Sequence, residues 1–321
     1  MKIIVILFFS MLLALPTYGQ NRETDYLSHV LEKMNAVESV TYHCVKKAWE
    51  PGDKEPVYSV PREIYEHVNP QDTAVGYSFL CASDKEFRQP LWVYDGTVFA
   101  YIEKEEKEVR IDDFTQKSPL PFRVIMPQAF GCMKSILEYV LNTQDSIVLS
   151  LKDEGKDYLM ELSIHTPYQV EFFGKACYMP QNPYIYDPTS IYKIWISKEN
   201  DMPYRYRREM QHSISEGICS DFVYNPSGKG KIVAEDYYPA DYVRRIKGEK
   251  SQKATVDMTG KKAPGWTLTD MKGQKVSLSG IKSKVILLQF TGIGCGPCKI
   301  SIPFLNSLRK AYAVNELEVL A

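Results

Sequence analysis

The sequence predicts an α+β domain built on a large antiparallel sheet, followed by a short, partial α/β unit. Three observations predict it. Strand-length runs separated by turn residues fill most of residues 39–224, with two amphipathic helical stretches among them. The 22 tyrosines favour half-buried sheet faces, where an apolar ring with a polar tip is well tolerated. Much later, Val285-Ile286-Leu287-Leu288-Gln289-Phe290 forms a nearly continuous apolar run of strand length, as a strand buried on both faces requires, and a helical pattern follows it.

The bulk numbers agree with two domains. A chain of 321 residues that is 44% hydrophobic and 25% charged can bury a sizeable core, which excludes wholesale disorder. The 39 basic and 40 acidic residues leave a net charge of −1, and a nucleic-acid partner would need a net basic face. Arg244-Arg245-Ile246-Lys247 therefore reads as solvated surface.

Taken in order, residues 1–19 read as a cleaved signal peptide. Met1-Lys2 is a short basic start, Ile3–Leu15 is apolar apart from Ser10, and Thr17-Tyr18-Gly19 offers a small-x-small cleavage pattern. The apolar run is shorter than the ~20 residues that span a bilayer. No later stretch is apolar enough to cross one, so an exported, periplasmic protein without stable membrane insertion is expected. Asn21–Glu38 reads as an amphipathic helix with Tyr26, Leu27, Val30, Leu31 and Met34 on one face. Strands are expected at 39–46, 63–68, 91–94 and 98–102, the last two joined through Asp95-Gly96. A second helix, 130–141, carries Phe130, Met133, Ile136, Leu137, Val140 and Leu141 on one face. Strands at 146–151, 158–164, 191–196, 204–210 and 218–224 complete the domain, taken as residues 20–246.

Several short phrases in this region resemble the half-barrel fold of the LolA-type lipoprotein carriers. They are Met34-Asn35-Ala36-Val37-Glu38-Ser39 at the end of the first helix, Val93-Tyr94-Asp95-Gly96, and Ile194-Trp195-Ile196-Ser197 leading to Met202-Pro203-Tyr204. The resemblance implies a half-barrel-like sheet and, as a second functional reading, a hollow for a lipid or protein ligand. Residues 247–262 turn polar and read as a linker.

The chemistry lies in residues 263–321. A turn at Asp270–Gln274, a short strand at 275–278 and the apolar strand lead through Thr291–Gly294 to Cys295-Gly296-Pro297-Cys298, and a helix with Leu305, Leu308 and Tyr312 on one face continues from there. Leu317–Leu320 starts another strand. A cysteine at a helix N-terminus faces unpaired backbone N–H groups and the positive end of the helix dipole, which stabilise its thiolate. Two intervening residues place a second sulfur one helical turn on, within reach of a small disulfide ring. Pro297 suits the first turn because its missing N–H would be unpaired there. This pattern makes Cys295 the candidate nucleophile and Cys298 the resolving thiol, supported by Gly296, Pro297 and Gln289. A zinc site would need a second ligand pair, which neither another C-x-x-C nor a spaced His pair supplies, so no metal and no cofactor is expected.

With its Ala263-Pro264 opening, its dithiol and Pro303 five residues beyond Cys298, the segment resembles the TlpA branch of thioredoxin-fold disulfide reductases. That resemblance implies thiol–disulfide exchange with disulfide-bearing client proteins and recharging by a membrane-embedded electron donor. A peroxiredoxin would carry Pro and Thr where this chain has Leu288 and Gly292, which excludes it. Thioredoxin itself places an Asp where Gln289 stands and a Trp where Gly294 stands. A neutral amide at Gln289 can hold a water or hydroxyl near Cys298 but is no strong base. The thioredoxin fold calls for two more strands, a helix and a cis-proline loop beyond Ala321, so the sequence is expected to be a fragment of a longer protein.

The remaining cysteines, Cys44, Cys81, Cys132, Cys177 and Cys219, are odd in number and specify no disulfide framework. They read as small buried apolar residues. Trp92, Trp195, Tyr184, Tyr186 and Tyr192 read as sheet packing.

Overall fold

The computed structural model describes residues 17–115, 122–125, 127–181, 187–248, 258–270, 272–291 and 296–320. Most of the expected signal peptide, most of the linker, Tyr184, Tyr186 and Cys295 lie outside them. The chain divides into two compact units, with the break after Lys247.

The first unit opens with α1 (Thr17–Asn35) and continues through β1 (Ser39–Trp49), β2 (Tyr58–Val68), β3 (Tyr77–Ala82), β4 (Pro90–Tyr94), β5 (Val98–Glu103) and β6 (Glu108–Asp113). After α2 (Ala129–Asn142) come β7 (Ile147–Asp153), β8 (Asp157–Ile164), β9 (Val170–Phe172), β10 (Ala176–Tyr178), β11 (Ser190–Ser197), β12 (Met202–Met210), β13 (Ser213–Tyr224) and β14 (Val243–Ile246). Twelve of these strands form one sheet in the order β14-β6-β5-β4-β3-β2-β1-β13-β12-β11-β8-β7, while β9 and β10 make a separate hairpin. The expected sheet is thus present, with one departure from antiparallel pairing: β14 joins the edge strand β6 in parallel.

Period-two burial explains how one face of the sheet holds the helices. Along β11, Ser190, Tyr192, Ile194 and Ile196 are buried and the residues between them half-buried. The buried set packs with Leu27, Val30 and Met34 of α1 and with Phe130, Met133, Ile136 and Leu137 of α2. At the β2–β6 end the opposite face is covered as well. Tyr65, Leu80, Val93, Ala100 and Ile102 pack there against Ile232 and Ala234 from the segment that follows β13. With both faces covered, all six residues of β3 are buried and its alternation disappears.

The first helix ends three residues earlier than its apolar spacing predicts, and Asn225 is the reason. Its Oδ1 accepts the backbone N–H groups of Glu38 (2.8 Å) and Ser39 (3.1 Å), which turns the chain out of the helix and into β1. Asn225 itself adopts φ 48°, a left-handed conformation that asparagine tolerates better than most residues.

The start of α2 is fixed by a strand. Gln128, the residue before the helix, makes no side-chain cap. Glu66 of β2 takes that role: Oε1 accepts from Phe130 N at 3.0 Å and Oε2 from Gly131 N at 3.1 Å, while Tyr42 Oη donates to Oε1 at 2.5 Å. A carboxylate here satisfies orphan N–H groups and lies at the positive end of the helix dipole. Gly131 makes room for it, since a Cβ there would sit 2.9 Å from Glu66 Oε2 and 3.0 Å from the Tyr77 ring. Burial nevertheless pushes the Glu66 carboxyl up to about 7, outweighing the three donors and Lys46. A largely buried ion pair lies nearer the hairpin, where Arg208 donates through Nε to Glu171 Oε2 (2.8 Å) and through Nη2 to Oε1.

Two outcomes follow for stability. Because the Glu66 pKa is higher in the fold than in the unfolded chain, protonation favours the fold. Its contribution is complete below about pH 4.3 and is lost as pH rises through about 7. Urea denaturation should show stability falling between pH 5 and 8 by on the order of 1–3 kcal/mol, and Glu66→Gln should flatten that slope. Gly217 of β13 lies against Tyr206, whose ring carbon would be 2.4 Å from an added Cβ. Gly217→Ala should therefore cost about 1–3 kcal/mol in the same assay.

Candidate functional site

The second unit begins with a hairpin of β15 (Thr267–Thr269) and β16 (Lys275–Ser277), paired antiparallel. Its turn is the one expected at Asp270–Gln274. Asp270 Oδ1 accepts from Lys272 N at 2.9 Å and Gln274 N at 2.8 Å, an aspartate mimicking a backbone turn. Next come β17 (Val285–Leu288), α3 (Gly296–Ala311) and β18 (Leu317–Leu320), with β17 and β18 parallel neighbours. A parallel pair joined through a helix is the βαβ arrangement, and α3 lies against β18. Leu305 and Leu308 are half-buried, whereas Tyr312, assigned to the same helix face by its spacing, is 51% exposed.

The candidate residues fall at the junction of β17 and α3. Gly296 and Pro297 are the first two residues of α3 and Cys298 the third, so the helix starts immediately after Cys295 in the chain. Cys295 itself is outside the described residues. Cys298 is disulfide-bonded and half-buried. Its Sγ lies 3.9 Å from the carbonyl oxygen of Phe290; a sulfur in a disulfide has no proton to donate, so this is a contact rather than a hydrogen bond. The Phe290 side chain is 92% exposed.

Gln289 is held at both ends. Its backbone N–H donates to Leu320 O at 2.8 Å, which extends the pairing of β17 with β18. Its side-chain Nε2 donates to Ser301 Oγ at 2.7 Å, and Ser301 Oγ donates to the Cys298 carbonyl at 2.7 Å. Gln289 thus reaches the second cysteine through a hydroxyl, and that hydroxyl is a side chain of the chain itself. Sequence reasoning missed Ser301. Its position three residues after Cys298 was a usable signal, because a hydroxyl at that spacing on a helix can bond back to the preceding turn.

These geometries belong to a segment with known relatives. Residues 259–321 match the AhpC/TSA family. The thioredoxin-like domain also has named relatives. It is 37% identical over 62 residues to the thiol-disulfide oxidoreductase ResA of Bacillus anthracis, covering 19% of this chain and 36% of that protein. It is likewise 37% identical over 71 residues to the thioredoxin-like protein YneN of Bacillus subtilis, covering 22% and 41%. The chain therefore spans little more than a third of the length of such relatives. Among solved structures, the Mycobacterium tuberculosis lipoprotein LppX is similar at TM-score 0.33 and 8% identity, covering 66% of this chain and 99% of that one. A LolA superfamily protein from Nitrosomonas europaea is similar at TM-score 0.26 and 10% identity, covering 68% and 99%.

Outside the thioredoxin-like domain, the first unit holds a cavity of about 620 Å³ where the β11–β12 turn meets the end of β13. It is an open cleft in which Met202, Pro203, Phe222 and Tyr224 supply apolar surface, while Lys156, Asp157, Lys198, Glu199 and Asn200 make much of the rim polar and charged. That volume falls within the range of small-molecule sites. Among the described residues, no helix is long and apolar enough to cross a membrane.

The Gln289–Ser301–Cys298 chain predicts a local stability effect. Ser301→Ala leaves the Gln289 amide without its acceptor and should destabilise the thioredoxin-like domain by about 1 kcal/mol, measured as earlier hydrogen exchange of α3 amides relative to those of α2.

Proposed function

We propose that this chain is an exported thiol–disulfide oxidoreductase that reduces disulfides of client proteins through Cys295 and Cys298. The observation that carries the reading is the disulfide at Cys298 on the first turn of α3, inside the segment that matches the AhpC/TSA family. Its partner in this reading is Cys295, the other cysteine of the Cys295-Gly296-Pro297-Cys298 motif. In the reduced form the Cys295 thiolate attacks one sulfur of a client disulfide and expels the other as a thiolate, giving a mixed disulfide. Cys298 then attacks Cys295, the client leaves with two thiols, and the two electrons it gained remain accounted for as the Cys295–Cys298 disulfide. Regeneration needs a dithiol donor, which this reading assigns to a membrane-embedded carrier. Residues 1–19 serve as the signal peptide for a periplasmic destination, and residues 247–262 as the linker between the domains. The ResA relatives, described as thiol-disulfide oxidoreductases, support the chemistry.

The cavity of about 620 Å³ favours a second reading, in which the first unit holds a lipid or protein ligand and the redox module is an accessory. One experiment separates the two. Cys298→Ser should trap clients as mixed disulfides on Cys295 in the exported fraction, seen as dithiothreitol-sensitive bands. Turnover of a disulfide-linked fluorescent peptide should fall at least about 100-fold in Cys295→Ser. No trapped client, together with a ligand retained by the first unit, favours the carrier.

A further inference from the structure

We infer that the first unit carries a second redox site, the cross-strand dithiol Cys44–Cys219, which closes reversibly to a disulfide. The two cysteines are directly opposite one another in the register of β1 and β13. Facing residues of an antiparallel pair have Cα atoms about 4.5 or 5.5 Å apart. Both values fall inside the 4.4–6.8 Å window that a disulfide spans. The two thiols are close enough to act on each other's ionisation, Cys219 lowering that of Cys44 and Cys44 raising that of Cys219. Both are free thiols in the structure and both are buried.

The two thiols differ in acidity. The neighbouring Cys219 thiol, with help from Lys46, holds the Cys44 thiol below its ordinary range despite burial. Burial pushes the Cys219 thiol well above it. Glu66 opposes ionisation of both, and Lys46 favours it in both. Cys44 is therefore the attacking sulfur. No other cysteine competes for it geometrically within the sheet: Cys81 lies two strands away on β3, about 9–10 Å across the sheet and out of disulfide range. Burial pushes Cys81 and Cys132 up to about 12.

The reaction is exchange with a disulfide-bearing partner. The Cys44 thiolate attacks one sulfur of R–S–S–R and releases one R–SH. Cys219 attacks the mixed disulfide at Cys44 and releases the second R–SH, leaving Cys44–S–S–Cys219. The test uses the full chain with Cys295→Ser and Cys298→Ser, so its outcome does not depend on the function proposed above. This variant keeps five thiols. Native protein is incubated with bis(2-hydroxyethyl) disulfide, acid-quenched, unfolded and titrated for thiols, then digested for mass spectrometry. The proposal expects two thiols fewer per chain, one linked peptide pair containing Cys44 and Cys219, and full recovery with dithiothreitol. Adding Cys219→Ala should instead accumulate a hydroxyethyl adduct on Cys44. Five thiols retained under native conditions, linkage through Cys81, Cys132 or Cys177 at comparable yield, or no adduct on Cys44 in the Cys219→Ala chain would each overturn it.

Discussion

A single buried carboxylate organises the first unit. Glu66 stands on β2 and holds the first N–H groups of α2, so the sheet itself decides where that helix begins. The arrangement depends on three residues agreeing. Tyr42 supplies a hydroxyl from β1, Gly131 leaves space on the helix, and Lys46 contributes positive charge while donating to Gln128 just before it at 2.6 Å. An ion placed so deep costs desolvation, and a charged acceptor without its donors would be worse. The helix that covers the central strands is therefore registered on them by a polar contact, and the apolar face of α2 then packs in the one position that contact permits. Stability and specificity come from different residues here: Phe130, Met133 and Ile136 supply the burial, and Glu66 sets the alignment.

Much of this fold is legible in the sequence, for a physical reason. A strand with one covered face keeps its period-two signal, so β11 and its neighbours on that side are readable from alternation. The same is true of α2, whose apolar stripe is complete. The strands that escaped notice, β6 (Glu108–Asp113) among them, lost that signal in different ways. β3 is covered on both faces by different clusters, and its buried residues include Ser78, which breaks the apolar run. β9 and β10 are three residues long, and β14 is a short polar strand whose partner is far away in sequence. The tertiary cap at Glu66 has no local signature, because capping motifs are read from residues adjacent to the helix and this one comes from 64 residues earlier. In the thioredoxin-like domain the dithiol spacing is a local pattern and was legible. The Ser301 relay to Gln289 joins a strand to a helix and was not.

Both units place polar chemistry at the first turn of a helix, with opposite purposes. In α2 the orphan N–H groups are satisfied by a fixed carboxylate, and the site is closed to exchange. In α3 the first turn carries Cys298 in a disulfide, with Gly296 and Pro297 before it. A proline at that point withholds one N–H that would be unpaired in a first turn anyway.

The parallel strand β14 has an implication for where the first unit ends. Val243–Ile246 hydrogen-bonds along β6, and Arg245 adds an ion pair to the buried Glu108 while Lys247 reaches Asp112. A chain cut before Val243 would leave β6 as a bare border with open N–H and C=O groups, a template for joining another copy. The tail of the first unit is thus a selvedge, a woven margin that keeps the sheet from fraying into its neighbours, and any independently produced version should retain it through Lys247.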